Sequence, residues 1–360
     1  MAAVLDGRKP AERPSHPPSD ALSSPTTERE TPASPGQEGL WLERRDLAPS
    51  TVYSVPFILD LAPGQAEPEL LTKALSLLIQ RHEPMRTVLM ERDGELRQVV
   101  LPPLPPDLSI HELRQGEESR TALQDLAQRE LARPFDLLTG PLFRFHLLRL
   151  PAGEGLLLGN ADHAVFDGWS LEVLRQEFNQ VLEALAQGQT PVLPSLPLSY
   201  AEAVEAWRAD LAGSRGRVLE RFWQQRLDGL ELEPLPQDGP SDPGPARGRR
   251  LVVEMGPEVI QALDRLALGQ RSTPSGVWLS AVAGLLSRYK DGRGPVAVGA
   301  PFAGRRDPRT QGLVGYFVNL LPVILAVDWS QPFAHLLDQA RSEVMAVLDH
   351  QDTPLAWLTA

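Results

Sequence analysis

Apolar residues recur along this chain with two different periods, and the switches between them lay out alternating strands and helices. Val52 to Leu61 reads as a strand. Pro68 to Arg81 reads as an amphipathic helix with Leu70, Leu71, Ala74, Leu77 and Leu78 on one face. Val88 to Val100 reads as a hairpin turning at Asp93-Gly94, because that dipeptide accepts the positive φ a tight turn needs. Ser119 to Ala132 is a second helix, with Leu123, Leu126, Ala127 and Leu131 inward. Leu142 to Leu150 alternates as a strand with Phe143, Phe145 and Leu147 on one face, which turns His146 toward solvent or a cleft. Gly155 to Ala161 is a buried strand leading to His163, and a long helix follows from about Ser170 to Gln187.

Pro191 to Pro197 is a proline-rich hinge. Beyond it come a helix with Trp207, another with Phe222 and Trp223, and a Pro/Gly-rich loop from Glu231 to Arg250. Leu251 to Met255 reads as a strand. Gly276 to Tyr289 reads as an apolar helix carrying Val277, Trp278, Ala281, Val282, Leu285 and Leu286. Val296 to Ala300 and Val318 to Val327 are apolar strands, and a last helix runs from Phe333 to about His350. Residues 1 to about 33 carry Pro, Ser, Thr and Glu with almost no large apolar side chains, so they read as a disordered tail that also holds His16. Order is expected from near Ser34.

Composition narrows the function. At 360 residues and 42% hydrophobic the chain can bury two domains or one large two-lobed unit. A net charge of −12 argues against a broad nucleic-acid surface, which needs clustered Lys and Arg. Without a cysteine there is no disulfide, thiolate nucleophile or Cys-ligated metal. No apolar run has the length of a membrane-spanning helix or a secretion signal, so the expectation is a soluble, cytoplasmic protein.

The segment richest in chemistry is Asp162-His163-Ala164-Val165-Phe166-Asp167-Gly168. His163 follows a buried strand and precedes a turn, at a strand end where ligands approach. An imidazole of ordinary pKa ~6.5 can take a proton from an amine or hydroxyl near neutral pH. Taking one from an α-amine of pKa ~7.7–8 is uphill by only about 2 kcal/mol, and the amine acidifies as its new bond forms. Asp167 can hold the loop by pairing with an arginine, Arg305 or Arg86, and Gly168 permits a tight turn or a close backbone approach. The bland alternative is a satisfied strand-end histidine in a chance H-x-x-x-D-G. A His163/Asp167 metal pair lacks a third ligand nearby.

Other segments fall in an order that resembles a known family. They are Ser34-Pro35-Gly36-Gln37-Glu38-Gly39-Leu40-Trp41, Arg81 to Thr87, Pro134-Phe135-Asp136-Leu137 with Gly140-Pro141-Leu142, Asp162 to Ser170, Val298 to Arg305, Val314 to Pro322, and His350-Gln351-Asp352-Thr353-Pro354. Together they resemble the core motifs of the condensation domains of nonribosomal peptide synthetases, in the chloramphenicol-acetyltransferase-like superfamily. The resemblance runs from about residue 34 to the end and departs from the family twice. Asp162 stands where the family's HHxxxDG motif has its first histidine. The chain also stops at Ala360, after the sixth motif, so a truncated second lobe is expected.

The resemblance implies an α/β fold of two chloramphenicol-acetyltransferase-like lobes in a V-shaped pseudo-dimer, residues 34–190 and an incomplete 191–360. It implies an acyltransferase that forms an amide or ester bond in secondary-metabolite biosynthesis, in a tunnel at the lobe junction. The donor would be an acyl or peptidyl phosphopantetheine thioester on a carrier protein. The acceptor would be an amine or alcohol, free or on a second carrier. No bound cofactor or metal, nucleic acid or membrane is expected. His163, Asp167 and Gly168 would be the catalytic-motif residues, supported by Asp162, Arg305, Asn319 and Arg86. Asp162 could act on the imidazole or only hold the loop, Asn319 could donate a hydrogen bond into the site or serve as a turn or strand-start amide, and His82 could line the channel or take a strand-edge or capping role. Trp169 and Phe166 read as packing residues.

Two other readings stand beside this one. The first is a coenzyme-A-dependent acyltransferase of the same superfamily, although the D-F-G-W-G of the plant-type branch is missing. The second is a non-catalytic module that docks carrier proteins. An epimerization domain matches the opening and fifth motifs less well. The cyclization branch carries aspartates where His163 is retained. The N-terminal tail reads as an unstructured leader or as a docking segment.

Overall fold

The computed structural model describes residues 28–45, 51–113, 118–151, 153–231, 251–292 and 294–358. The expected tail up to residue 27 and nearly all of the loop from Glu231 to Arg250 lie outside the described residues. The rest falls into two compact units. One holds the described chain up to Arg217 together with Ala303–Val318 and the described residues from Pro354 onward. The other holds Val218–Phe302 and Asn319–Thr353, as far as these are described.

The first unit is built on two sheets. β1 (Arg29–Pro32), β4 (Glu95–Val100) and β3 (Thr87–Arg92) form one, in that order. Strand pairing therefore begins ahead of Ser34, with Arg29 opposite Val100. β3 and β4 are the expected hairpin. Arg92 pairs with Glu95, and Asp93 and Gly94 both take positive φ, as a two-residue primed turn requires. The second sheet runs β2 (Ser54–Leu61), β7 (Gly155–Asp162), β6 (Phe143–Arg149), β5 (Leu108–Glu112), antiparallel except for the β5–β6 pair. β7 lies between two neighbours and is buried along nearly its whole length. Its last residue, Asp162, pairs with Ser54, and this delivers His163 to the sheet's rim.

The helices of this unit are α1 (Pro35–Arg45), α2 (Pro68–Arg81), α3 (Ser119–Leu131), α4 (Gly168–Ala186) and α5 (Tyr200–Ala212). α2 and α4 pack together, and Leu71, Leu78, Leu174 and Phe178 join Phe57, Phe145, Leu157 and Phe166 in one core. Gly159 is required there, because a Cβ would lie 2.2 Å from the ring of Phe57.

The other face of the second sheet departs from the sequence reading. α3 buries Ala122, Leu126 and Glu130, while Leu123, Ala127 and Leu131 lie at the margin. The cause is Glu130. Its carboxylate accepts from Arg144 Nε at 2.5 Å, His146 Nε2 at 3.0 Å and Asn160 Nδ2 at 3.0 Å. His146 is therefore buried beneath α3 and not in solvent or a cleft, with its Nδ1 3.2 Å from His111 Nε2. β5, absent from the sequence reading, carries His111 alongside β6.

In the second unit, α6 (Ser214–Leu227) carries the chain in from the first. α7 (Pro257–Gly269), α8 (Pro274–Tyr289), the antiparallel pair β8 (Val296–Phe302) and β9 (Asn319–Leu325), and α9 (Phe333–Leu348) then follow. Leu251 to Met255 forms no strand, contrary to the sequence reading, and α7 was not foreseen. α8 is the expected apolar helix, and it buries mainly its small residues. Gly276, Val277, Ser280, Ala283, Gly284 and Ser287 are buried, whereas Trp278 is 42% and Leu285 57% exposed. Small residues let α8 lie close to α7, α9 and β8, and this outweighs the pull of the larger apolar side chains. Among the described residues no helix is long and apolar enough to cross a membrane.

The Glu130 cluster makes an acid-sensitive joint. Burial alone would raise this carboxyl, but hydrogen bonds from His146, Asn160 and Arg144 hold it at about 2, from 4.5. A depressed carboxyl stabilises the fold above about pH 4.5, and this stability drains away as pH falls toward 2. The melting temperature of wild type should fall across that window. Glu130→Gln should flatten the fall and cost about 3 kcal/mol or more at pH 7, because it leaves Arg144 buried without its anion. Thermal denaturation across pH would check both. A Glu130→Gln variant with the acid slope of wild type would refute the assignment.

Candidate active site

The site is assembled around the turn after β7. Asp162 caps it, with Oδ1 accepting from the Ala164 amide at 2.9 Å. The same carboxylate takes a two-pronged ion pair from Arg44 of α1, Nη1 to Oδ1 at 2.9 Å and Nη2 to Oδ2 at 2.8 Å. Gln37, also on α1, donates to the Ala164 carbonyl at 3.0 Å and is itself tied reciprocally to Ser34. α1 thus grips the turn by both its side chain and its main chain. Asp162, in the place of the family's first histidine, holds the loop and keeps both of its oxygens occupied.

His163 sits inside this grip. Its amide donates to the Tyr53 carbonyl at 2.8 Å, and its Nδ1 lies 2.7 Å from the Phe166 carbonyl oxygen. A carbonyl only accepts, so Nδ1 carries the hydrogen and the lone pair of the neutral ring is on Nε2. No described residue hydrogen-bonds to Nε2, and the residue is only partly buried. The ring meets Tyr316 edge-on, with centroids 5.2 Å apart and planes at 82°. A fixed imidazole with one unclaimed, accessible basic nitrogen can exchange a proton with a bound reactant.

Asp167 does different work. It caps α4: Oδ1 accepts from the Ser170 amide at 2.8 Å and the Ser170 hydroxyl at 2.7 Å. Oδ2 accepts from the amides of Phe317 and Val318, at 3.0 and 3.2 Å. Arg305 Nη2 reaches Oδ1 at 3.2 Å, and both side chains are 1% exposed. Arg305 also donates to the carbonyls of Thr310 and Leu313 and lies 4.1 Å above the Phe317 ring. Burial holds its guanidinium below the ordinary arginine value, and the charge of Asp167 offsets only part of that. No described hydrogen bond joins Asp167 to His163, so the carboxylate is not the imidazole's partner. It fastens the segment 303–318 to the turn.

The remaining candidates separate. A Cβ on Gly168 would meet nothing within 4 Å, so neither a tight turn nor a close approach within the chain requires this glycine. Arg86 does not reach Asp167. It is buried against the carbonyls of Ile79 and Leu101, at 3.2 and 2.5 Å, and joins the end of α2 to that of β4. Asn319 belongs to the second unit, where its amide donates to the carbonyls of Gln351 and Thr353 and so holds the sixth motif in place. His82 is the C-cap of α2 and is buried on Glu177, with 2.7 Å between Nε2 and Oε2. Phe166 is a core residue, as expected. Trp169 is 39% exposed and donates from its indole to the Gln311 carbonyl.

The sequence reading missed Arg44, Gln37, Tyr53, Ser170 and Tyr316. Only Gln37, Ser170 and Tyr316 carried a signal, since each lies inside a quoted motif. No group of three His, Cys, Asp or Glu among the described residues is placed to hold a metal ion.

Comparison with known proteins places this arrangement. A family model described as Condensation domain matches residues 27–360. One of the proteins that make up the linear gramicidin synthase of Brevibacillus parabrevis is 36% identical over 335 residues, covering 91% of this chain but 4% of that protein. The chain therefore spans a small fraction of that relative's length. SgcC5 of Streptomyces globisporus superposes with a TM-score of 0.79 at 26% identity, over 91% of this chain and 75% of its own. The first condensation domain of the CDA synthetase shares the fold, with a TM-score of 0.77 at 22% identity over 90% of this chain and 76% of its own.

Two variants test the fastening. Asp167→Ala strands Arg305 as a buried, unpaired charge and should cost about 3–5 kcal/mol in urea denaturation. Arg44→Gln keeps only part of its grip on Asp162 and should cost less, about 1–3 kcal/mol. If Asp167→Ala unfolds at the wild-type midpoint, the fastening role is wrong.

Proposed function

Because the chain belongs to the condensation-domain family, we propose that it joins an acyl or peptidyl thioester, carried on a carrier protein's phosphopantetheine arm, to an acceptor amine or hydroxyl. The observation that carries this reading is His163: its Nδ1 is spent on the Phe166 carbonyl and its Nε2 is unclaimed at the rim of the sheet.

In the proposed reaction the acceptor nitrogen attacks the thioester carbonyl carbon. A C–N bond forms while the carbonyl π pair moves onto oxygen. His163 Nε2 takes the proton released by the nitrogen. The oxygen's electron pair then re-forms the carbonyl, the C–S bond breaks, and the departing thiolate takes up a proton to become the free phosphopantetheine thiol. With a hydroxyl acceptor the same sequence gives an ester. The reaction so written calls for no resident metal or cofactor. Asp162 and Asp167 serve as structure, the first holding the turn and the second the segment beside it.

A non-catalytic docking module is the alternative, favoured by an aspartate at position 162 in place of a histidine. The ion pair with Arg44 weakens that alternative, because it occupies the carboxylate and leaves the free nitrogen of His163 untouched. Donor and acceptor carrier proteins are the partners this reading calls for, and a coenzyme A thioester is the competing donor.

The test is mass spectrometry of amide or ester formation from acyl-loaded carrier protein and a panel of amines and alcohols, with acyl-coenzyme A as a parallel donor. Wild type should form product, and His163→Ala, folded by circular dichroism, should lose about a hundredfold or more. A loss below about tenfold would remove His163 from the chemistry. Product from acyl-coenzyme A alone would replace the carrier protein as donor.

A further inference from the structure

Tyr316 is held beside His163 more firmly than packing requires. Ser170 Oγ, whose hydrogen goes to Asp167, accepts from the Gly315 amide at 3.0 Å and lies 2.8 Å from the Gly315 carbonyl oxygen. Asp167 takes the next two amides, of Phe317 and Val318. The Tyr200 hydroxyl donates to the carbonyl of Tyr316 itself at 2.9 Å. Gly315 is needed because a Cβ there would lie 2.3 Å from the Tyr200 ring, and Gly36 because its Cβ would lie 2.8 Å from Tyr316 Cε1. The backbone on both sides of Tyr316 is therefore anchored to the start of α4, which directly follows the His163 turn, and α1 is cut back to admit the ring.

Other tyrosine hydroxyls around the turn are engaged. Tyr53 donates to Glu43, and Tyr200 donates to the Tyr316 carbonyl. The Tyr316 hydroxyl makes no hydrogen bond with any described residue, and the side chain is only partly buried. An unpartnered phenol locked edge-on against the candidate base is placed to meet whatever that base acts on.

We infer that Tyr316 is a further catalytic residue, its hydroxyl donating a hydrogen bond to the acyl oxygen of the thioester as the acceptor attacks. This inference rests on the condensation reading above. The charge that gathers on that oxygen as the C–N bond forms is met by the phenolic O–H, and it returns to the carbonyl when the C–S bond breaks. The phenol keeps its own proton throughout. Burial and the nearby charges of Asp167 and Glu43 push its pKa up to about 12, so the hydroxyl stays a neutral donor at working pH.

The test compares wild type, Tyr316→Phe and Tyr316→Ala in the same carrier-protein assay, with kcat and the acceptor KM measured separately and folding checked by thermal denaturation. Tyr316→Phe keeps the ring and its packing and loses only the hydroxyl. It should melt with wild type and lose about tenfold or more in kcat at nearly unchanged acceptor KM, as expected for an interaction made chiefly in the transition state. Tyr316→Ala should lose at least as much. A Tyr316→Phe enzyme with wild-type kcat overturns the inference and leaves the condensation reading standing. A folded wild type that forms no product overturns that reading and this inference with it.

Discussion

A single buried carboxylate organises this site. Asp167 has almost no solvent, so its charge is tolerable only because its oxygens are filled by Ser170, Arg305 and the amides of Phe317 and Val318. Those partners come from two stretches of sequence, the start of α4 and the segment 303–318. The cost of leaving any of them out forces the two stretches into one arrangement. The position of Tyr316 against His163 follows from that, as does the stacking of Arg305 on Phe317. The aspartate of H-x-x-x-D-G is thus a fastener that acts across about 150 residues of chain rather than a group that acts on the imidazole four positions before it.

Much of the fold could be read from local pattern, because local pattern was what decided it. α2 runs over the residues its apolar period marks, and the Asp93-Gly94 turn sits where its dipeptide demands. The reading failed where a polar or small residue won a buried place. Glu130 looks like the solvent side of an amphipathic helix. Only the arrival of Arg144, His146 and Asn160 from neighbouring strands makes it the inward side, so α3 turned and took His146 inside with it. In α8 the apolar run marked the helix but not its buried side, which is the Gly, Ala and Ser face that allows close packing. Asn319 was legible as a donor but not its acceptors, which are backbone carbonyls of Gln351 and Thr353.

The substitution at Asp162 shows how a departure from a family motif can be absorbed. A carboxylate buried beside a candidate base would disturb it if left bare. Here α1 supplies Arg44 in a two-pronged pair, and the leftover acceptor capacity goes to capping the turn. The two residues stand 118 apart in sequence, so inspection of the motif alone could not disclose the compensation. The charge at position 162 is consequently a property of the pair, not of the aspartate.

The backing of His163 by a main-chain carbonyl has a consequence for proton flow. A carboxylate behind an imidazole steadies its cation, and a proton can rest there. The Phe166 carbonyl brings no charge and cannot pass a proton onward, so the ring has a single working nitrogen and no exit at its rear. In the proposed reaction the proton collected from the acceptor must leave by the face through which it entered. The departing sulfur or water at that same face is its natural recipient. The histidine would therefore behave as a one-door station that resets within each turnover, and its return to the basic form depends on the leaving group rather than on a relay through the protein interior.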